Sequence, residues 1–268
     1  MKEKFGFIGC GNMGSALAKA LAKKVDGKNL LLTDTNIFLA EKLALELFAC
    51  YASTEEILDE CDYIFLGVKP QTLPTLFAQI RPLLAAREEK PVLISMAAGT
   101  SIARIEELAE VPCGVIRIMP NTPVSIGEGM ILFHSNQTTT DKQLQVFTEA
   151  MECAGKLDFL PENLIDAASA LSGCGPAFVY MFAEALSDGA VACGLPREKA
   201  NLYAAQTLLG SAKMLLESGK HAGELKDAVC SPGGTTIAGV QALENGAFRS
   251  NAMNAVTEAY KKTLTLKK

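Results

Sequence analysis

Short apolar runs alternate with longer stretches of helical spacing through the first 160 residues. The runs at 4–8, 29–33, 61–68, 91–95 and 115–119 are brief and almost uniformly apolar, which predicts buried strands. Between them, 15–22, 36–47, 73–84 and 101–108 carry the small and apolar spacing of helices that pack on a sheet. Pro74 is tolerated there because it falls in a first turn. Residues 130–133 and 155–160 predict two further strands. Strands alternating with helices imply a doubly wound, largely parallel α/β sheet. The carboxyl ends of such strands are where a cofactor should lie, and the loops at 69–71, 96–99 and 119–123 fall there.

The pattern changes at Pro161. Strand-like runs stop, and alanine- and leucine-rich stretches at 162–193, 196–217 and 246–264 predict a nearly all-helical second domain. The domain division is therefore 1–160 and 161–268. Residues 204–212 are apolar around much of a helix circumference, so they need more cover than a small domain supplies. Self-association through this domain is the natural inference.

Composition narrows the function classes. The 268-residue chain has a net charge of −5 and a pI near 5.3, which speaks against nucleic-acid or anionic-membrane surfaces. No run approaches the ~20 uninterrupted apolar residues of a membrane span, and the N-terminus lacks a signal-peptide layout. The eight cysteines are scattered and include no C-x-x-C pair, as expected of reduced thiols in a cytoplasmic protein. Cys230 has no histidine within eight residues and reads as a small filler rather than a nucleophile. Only two histidines occur, so neither a metal site nor a histidine-based triad is expected. His134 and His221 read as surface or capping residues.

Two motifs carry chemistry. Ile8 leads into Gly9-Cys10-Gly11-Asn12-Met13-Gly14, a G-x-G-x-x-G between a strand and a helix. Its glycines allow a tight turn, close approach to a pyrophosphate and helix–strand contact, in that order. Asp34 comes 20 residues after Gly14, where an acid accepts from the ribose 2′-OH of NAD and repels a 2′-phosphate. The second motif is Ser231-Pro232-Gly233-Gly234-Thr235-Thr236, ahead of a predicted helix. Free N–H groups at a helix start attract an anion, so this loop suits a small carboxylate. The nearest candidate cation upstream is Lys226. The plain alternative to the first motif is a glycine-rich turn with no ligand, and to the second, taken alone, an ordinary capped helix start.

Together these segments resemble pyrroline-5-carboxylate reductase. The resemblance also takes in Val68-Lys69-Pro70, Ala97-Ala98-Gly99, Met119 to Val124 with Asn121, Leu171 to Ala177, Gly194 to Arg197, Gly210 to Met214, Leu225 to Asp227 and Gly246 to Ser250. It implies an N-terminal Rossmann domain and a helical C-terminal domain that interlocks two subunits, with decamers among the possible assemblies. It also implies reduction of L-1-pyrroline-5-carboxylate to L-proline by NAD(P)H.

On that resemblance, Ser231, Gly233, Gly234, Thr235 and Thr236 hold the substrate, and the Thr236 hydroxyl bonds the ring nitrogen. Ile8, Gly9, Gly11, Asn12, Met13 and Gly14 surround the pyrophosphate. Val68, Lys69, Pro70, Ala97, Ala98 and Gly99 contact the ribose and nicotinamide. Asn121 lies near the nicotinamide or orders its loop. The family default is NADPH, whereas Asp34 leaves NADH open. The alternatives are a 3-hydroxyacid-dehydrogenase-like oxidoreductase and a non-catalytic dinucleotide sensor. The first usually has a lysine on the opening long helix of its second domain, and 172–180 has none. The second would show a degraded 231–236 loop, and this loop is intact.

Overall fold

The computed structural model describes residues 2–266. The chain runs β1 (Phe5–Ile8), α1 (Asn12–Leu21), β2 (Leu30–Thr33), α2 (Ile37–Leu47), β3 (Cys50–Tyr51), α3 (Thr54–Glu60), β4 (Tyr63–Leu66), α4 (Leu73–Ala86), β5 (Val92–Ser95) and α5 (Ile102–Ala109). It continues through β6 (Val115–Met119), β7 (Gly129–Ser135), α6 (Asp141–Met151) and β8 (Gly155–Phe159). Helices α7 (Glu162–Ser172), α8 (Gly175–Ala192), α9 (Arg197–Ser218), α10 (Ala222–Ala228), α11 (Thr235–Asn245) and α12 (Phe248–Leu266) complete it.

The eight strands form one sheet in the order β3-β2-β1-β4-β5-β6-β7-β8. All neighbours are parallel except β6 and β7. The β6–β7 connection holds only a short 3₁₀ turn, Thr122–Ile126, which is too little chain for a parallel crossover. The strand order reverses between β1 and β4, the switch point where such sheets open a ligand crevice.

Alternation along β1 and β4 sends side chains to both faces. Phe5 stacks on Tyr63 and Phe7 on Phe65, at centroid distances of 5.0 and 4.3 Å, in the core shared with α1 and α2. Ile8, Ile64 and Leu66 point to the opposite core, against α3, α4 and α5. Each fully buried phenylalanine contributes about 1.5–3 kcal/mol of transfer free energy.

The chain separates into two compact units. One runs to Cys174 and takes up the chain again from Ala259; the other is Gly175–Glu258. Helix α7 falls in the first because it packs on β7.

Four elements escape the hydrophobic pattern: β3, α3, α6 and α10. The stretch 162–193 is also not one helix. It breaks at Gly173-Cys174, between α7 and α8. Pro176 lacks the N–H that would bond back to the Ser172 carbonyl in a continuous helix.

The stretch Glu162–Ala192 is long and apolar enough, by length and composition, to cross a membrane. The expectation drawn from uninterrupted apolar runs did not foresee this, because scattered polar residues interrupt the run without lowering its average. Within it, Asp166 forms a buried ion pair.

Candidate functional site

The fingerprint loop divides its work among three glycines. Gly9 has φ 105°, and a Cβ there would lie 2.7 Å from the Gly67 carbonyl carbon at the end of β4. Gly14 has no room either: its Cβ would meet the Gly9 carbonyl oxygen at 2.2 Å, which lets α1 press against the turn. A Cβ on Gly67 would meet the same oxygen, at 2.3 Å. Gly11 differs, since a Cβ there meets nothing within 4 Å. Gly11 is also the N-cap of α1 and makes no side-chain cap bond. Helix α1 therefore presents uncapped N–H groups beside open space, the donor set a pyrophosphate needs.

Asn12 is exposed and Met13 packs partly on the core beneath. Ile8 is buried, so only its backbone faces the crevice. Ser15 Oγ donates to the Cys10 carbonyl at 2.5 Å and holds the loop against its helix. Burial, reinforced by the negative Asp34 nearby, pushes the Cys10 thiol up to about 12. Burial likewise raises Cys61 to about 12 and Cys113 to about 11. All three stay protonated at neutral pH and are poor nucleophiles.

Asp34 is joined to this loop. Its Oδ2 accepts the Cys10 N–H at 2.7 Å, and its Oδ1 accepts the Asn36 N–H at 2.8 Å. The side chain is partly exposed.

Val68, Lys69 and Pro70 come after β4. Val68 packs on the second core, and exposed Lys69 caps a 3₁₀ turn that begins at Pro70. In the loop after β5, Ala97 is buried and offers the crevice its backbone alone, while Gly99 turns with φ 72°. Pro70, Ala98 and Gly99 share the wall of a cavity of about 1010 Å³, with Arg117 and Glu162. Gly9, Gly11 and Asp34 are not in that wall; the Cys10–Asp34 bond gathers them at the β1–β2 side.

Asn121 orders its loop. Its Nδ2 donates to the Ser172 carbonyl at 3.0 Å, and its Oδ1 accepts the Met130 N–H at 2.9 Å. The Ser172 carbonyl is the one that Pro176 cannot serve, so Asn121 supplies the donor missing where α7 ends.

The sequence reading missed a buried charge cluster. Arg117 on β6, with only 3% of its surface exposed, pairs with Asp166 and with Glu162 Oε1 at 3.2 Å, both on α7. Glu162 Oε1 also accepts the Ile102 N–H at 2.8 Å and closes the first turn of α5, the helix after the 97–99 loop. A lone arginine in the apolar run Val115–Met119 was the available signal, because a buried charge demands partners. His134 caps no helix and is half-buried rather than openly exposed. It sits on β7 opposite Arg117, lies 5.0 Å from the Phe159 ring, and its buried Nδ1 finds no partner among the described residues.

In the second unit, Ser231-Pro232-Gly233-Gly234 forms the turn ahead of α11. Gly233 is left-handed at φ 66°. The Gly234 N–H bonds the Ser231 carbonyl at 3.0 Å, and a Cβ on Gly234 would collide with Ser231 Oγ at 2.2 Å. Gly234 caps α11 without a side-chain bond, so the N–H groups of Thr235 and Thr236 have no capping side chain. Both threonines are exposed. Lys226 is held by Asp227 at 2.6 Å. His221 caps α10 by accepting the Gly223 N–H on Nδ1 at 3.1 Å.

No group of three or more His, Cys, Asp or Glu among the described residues could hold a metal ion. The arrangement is thus a glycine turn with uncapped backbone donors and one fixed carboxylate at the β1–β2 side, and a helix start with backbone donors and two exposed hydroxyls in the second unit.

Comparison with known proteins identifies the family. Residues 162–266 match the family described as pyrroline-5-carboxylate reductase dimerisation, and residues 4–99 match NADP oxidoreductase, coenzyme F420-dependent. The pyrroline-5-carboxylate reductase of Glycine max is 39% identical over 97% of this chain and 95% of its own. That of Methanosarcina acetivorans is 38% identical over 99% and 98%. A crystal structure of Plasmodium falciparum pyrroline carboxylate reductase with NADP bound superposes with a TM-score of 0.88 at 33% identity, covering 100% of this chain and 99% of the other. The chain belongs to the pyrroline-5-carboxylate reductase family.

Proposed function

We propose that this protein reduces L-1-pyrroline-5-carboxylate to L-proline with NAD(P)H, the last step of proline biosynthesis. The observation that carries the reading is the intact 231–236 turn, leading into a helix that begins with uncapped N–H groups. It stands in a chain that also holds an uncapped, open fingerprint at Gly11.

When bound, the reduced nicotinamide supplies a hydride to the imine carbon; with the proton on nitrogen, the C=N bond becomes CH–NH. The chain's own work is binding and orientation. The N–H groups of Gly233 and Thr235, in the turn that Ser231 and Gly234 close through their own hydrogen bond, hold the substrate carboxylate at the positive end of α11. The Thr236 hydroxyl bonds the ring nitrogen and orients the imine. A protonated cyclic imine is already electrophilic, so no histidine or perturbed lysine is required.

On the cofactor side, Gly9, Gly11, Asn12, Met13 and Gly14, with the Ile8 backbone, take the pyrophosphate. Asp34 takes the adenosine ribose, and Val68, Lys69, Pro70, Ala97, Ala98 and Gly99 line the path to the nicotinamide. Asn121 holds its loop. The division of labour is 1–160 for the cofactor and 161–268 for substrate and self-association. The assembly is a homodimer built through 161–268, which rings of dimers up to a decamer would extend. The apolar surface on 162–192 serves that assembly rather than a membrane, and the protein works in the cytoplasm without nucleic acid.

The test is direct. Purified protein should oxidise NADH or NADPH only when pyrroline-5-carboxylate is added, and proline should appear mole for mole. Replacing Thr236 with Ala should lower kcat by roughly ten- to a thousandfold. A Thr236→Ala enzyme with unchanged kcat/KM would remove the hydroxyl from the mechanism.

A further inference from the structure

We propose that Asp34 makes this protein selective for NADH over NADPH. The proposal rests on the dinucleotide reading above and names the cofactor that reading leaves open.

A carboxylate at the end of β2 discriminates only if it cannot turn away from the ribose, and Asp34 is fastened at both oxygens. Oδ2 accepts the Cys10 N–H at 2.7 Å; Oδ1 accepts the Asn36 N–H at 2.8 Å and lies 3.4 Å from Thr35 Oγ1. The first anchor is decisive. Cys10 stands between Gly9 and Gly11, so the bond draws the negative charge to the fingerprint loop itself. Each carboxylate oxygen has a second lone pair, which leaves an acceptor for a ribose 2′-OH. A 2′-phosphate would instead face a fixed like charge, a juxtaposition that costs strongly in a partly desolvated crevice.

A cation beside the acid would relieve that repulsion, and the flanking segments supply none. Residues 9–15 and 33–41 contain no lysine or arginine. Asp34 makes no ion pair among the described residues. Lys69 comes after β4, which is separated from β2 by β1. Discrimination therefore comes from a repulsive element as well as an attractive one. The bound NADP of the Plasmodium falciparum structure makes this a departure within the family.

The experiment titrates the full-length protein with NADH and with NADPH separately, by nucleotide fluorescence. It then measures kcat/KM for each with pyrroline-5-carboxylate. NADH should bind at least about tenfold more tightly and show the same advantage in kcat/KM. Asp34→Ser should shift the ratio of affinities towards NADPH by at least about tenfold, mainly by improving NADPH. Asp34→Asn keeps a side-chain oxygen for one of the two backbone donors and gives the same test if the serine variant fails to fold. A wild-type protein that binds NADPH as tightly as NADH overturns the proposal, as does a ratio unmoved in a folded variant. Preferential NADH binding without turnover of pyrroline-5-carboxylate would sink the reductase reading and leave the assignment of Asp34 standing.

Discussion

A guanidinium inside an apolar sheet must be answered by carboxylates, and Arg117 has two. Its partners, Asp166 and Glu162, lie 49 and 45 residues further on, in α7. No local pattern could name them, although the arginine itself was visible in Val115–Met119. Removing one partner leaves the buried guanidinium under-compensated, which costs about 3–5 kcal/mol. Asp166→Ala should therefore lower the urea midpoint by an amount that converts to that range. A loss under about 1 kcal/mol would mean that Glu162 or water takes over the pair. Asp34 shows the opposite case. Its position could be counted from the fingerprint, but the bond that fixes its direction runs to a backbone N–H, which no residue pattern records. Asn121 lies between the two: of its two readings, the ordering of a loop is the one its hydrogen bonds satisfy.

At the scale of elements, the long periodic segments were legible and the short ones were not. α3 is short and α6 is polar on average, but both announce themselves by capping boxes, Ser53 with Glu56 and Thr140 with Gln143. Those start signals were there to be read. β3 has two residues, and α10 is held by a histidine cap that few rules anticipate. The strand–turn–helix at the N-terminus separates two kinds of glycine. Gly14→Ala would drive a methyl into the Gly9 carbonyl and should cost about 1–3 kcal/mol in the protein without nucleotide. Gly11→Ala meets no protein atom and should change stability by under about 1 kcal/mol, yet weaken nucleotide binding at least tenfold by filling the approach. Thermal unfolding with and without nucleotide separates the two. Equal destabilisation by both would refute the division.

At the scale of the whole molecule, the two-part organisation was legible because alternating strands give way to helices at Pro161. The affiliation of α7 was not, because it depends on the surface that helix packs against. The chain folds α7 onto β7, and the compact unit that holds the sheet runs to Cys174 before it resumes at Ala259. Glu162 belongs to both halves of this organisation. It stands near the start of the segment that matches the dimerisation family, yet it closes the first turn of α5 and neutralises Arg117. A fragment cut after residue 160 would take away both carboxylates and the acceptor for the Ile102 N–H in one stroke, leaving only the Ser101 cap on α5. Expressed alone, 1–160 should be aggregation-prone or molten, whereas 1–174 should keep the ion cluster and give a sharper unfolding transition. Equal cooperativity in the two fragments would show that the sheet stands without α7. The place to divide this gene product for separate expression is therefore the glycine-rich break after Ser172, a helix later than its change of amino-acid texture suggests.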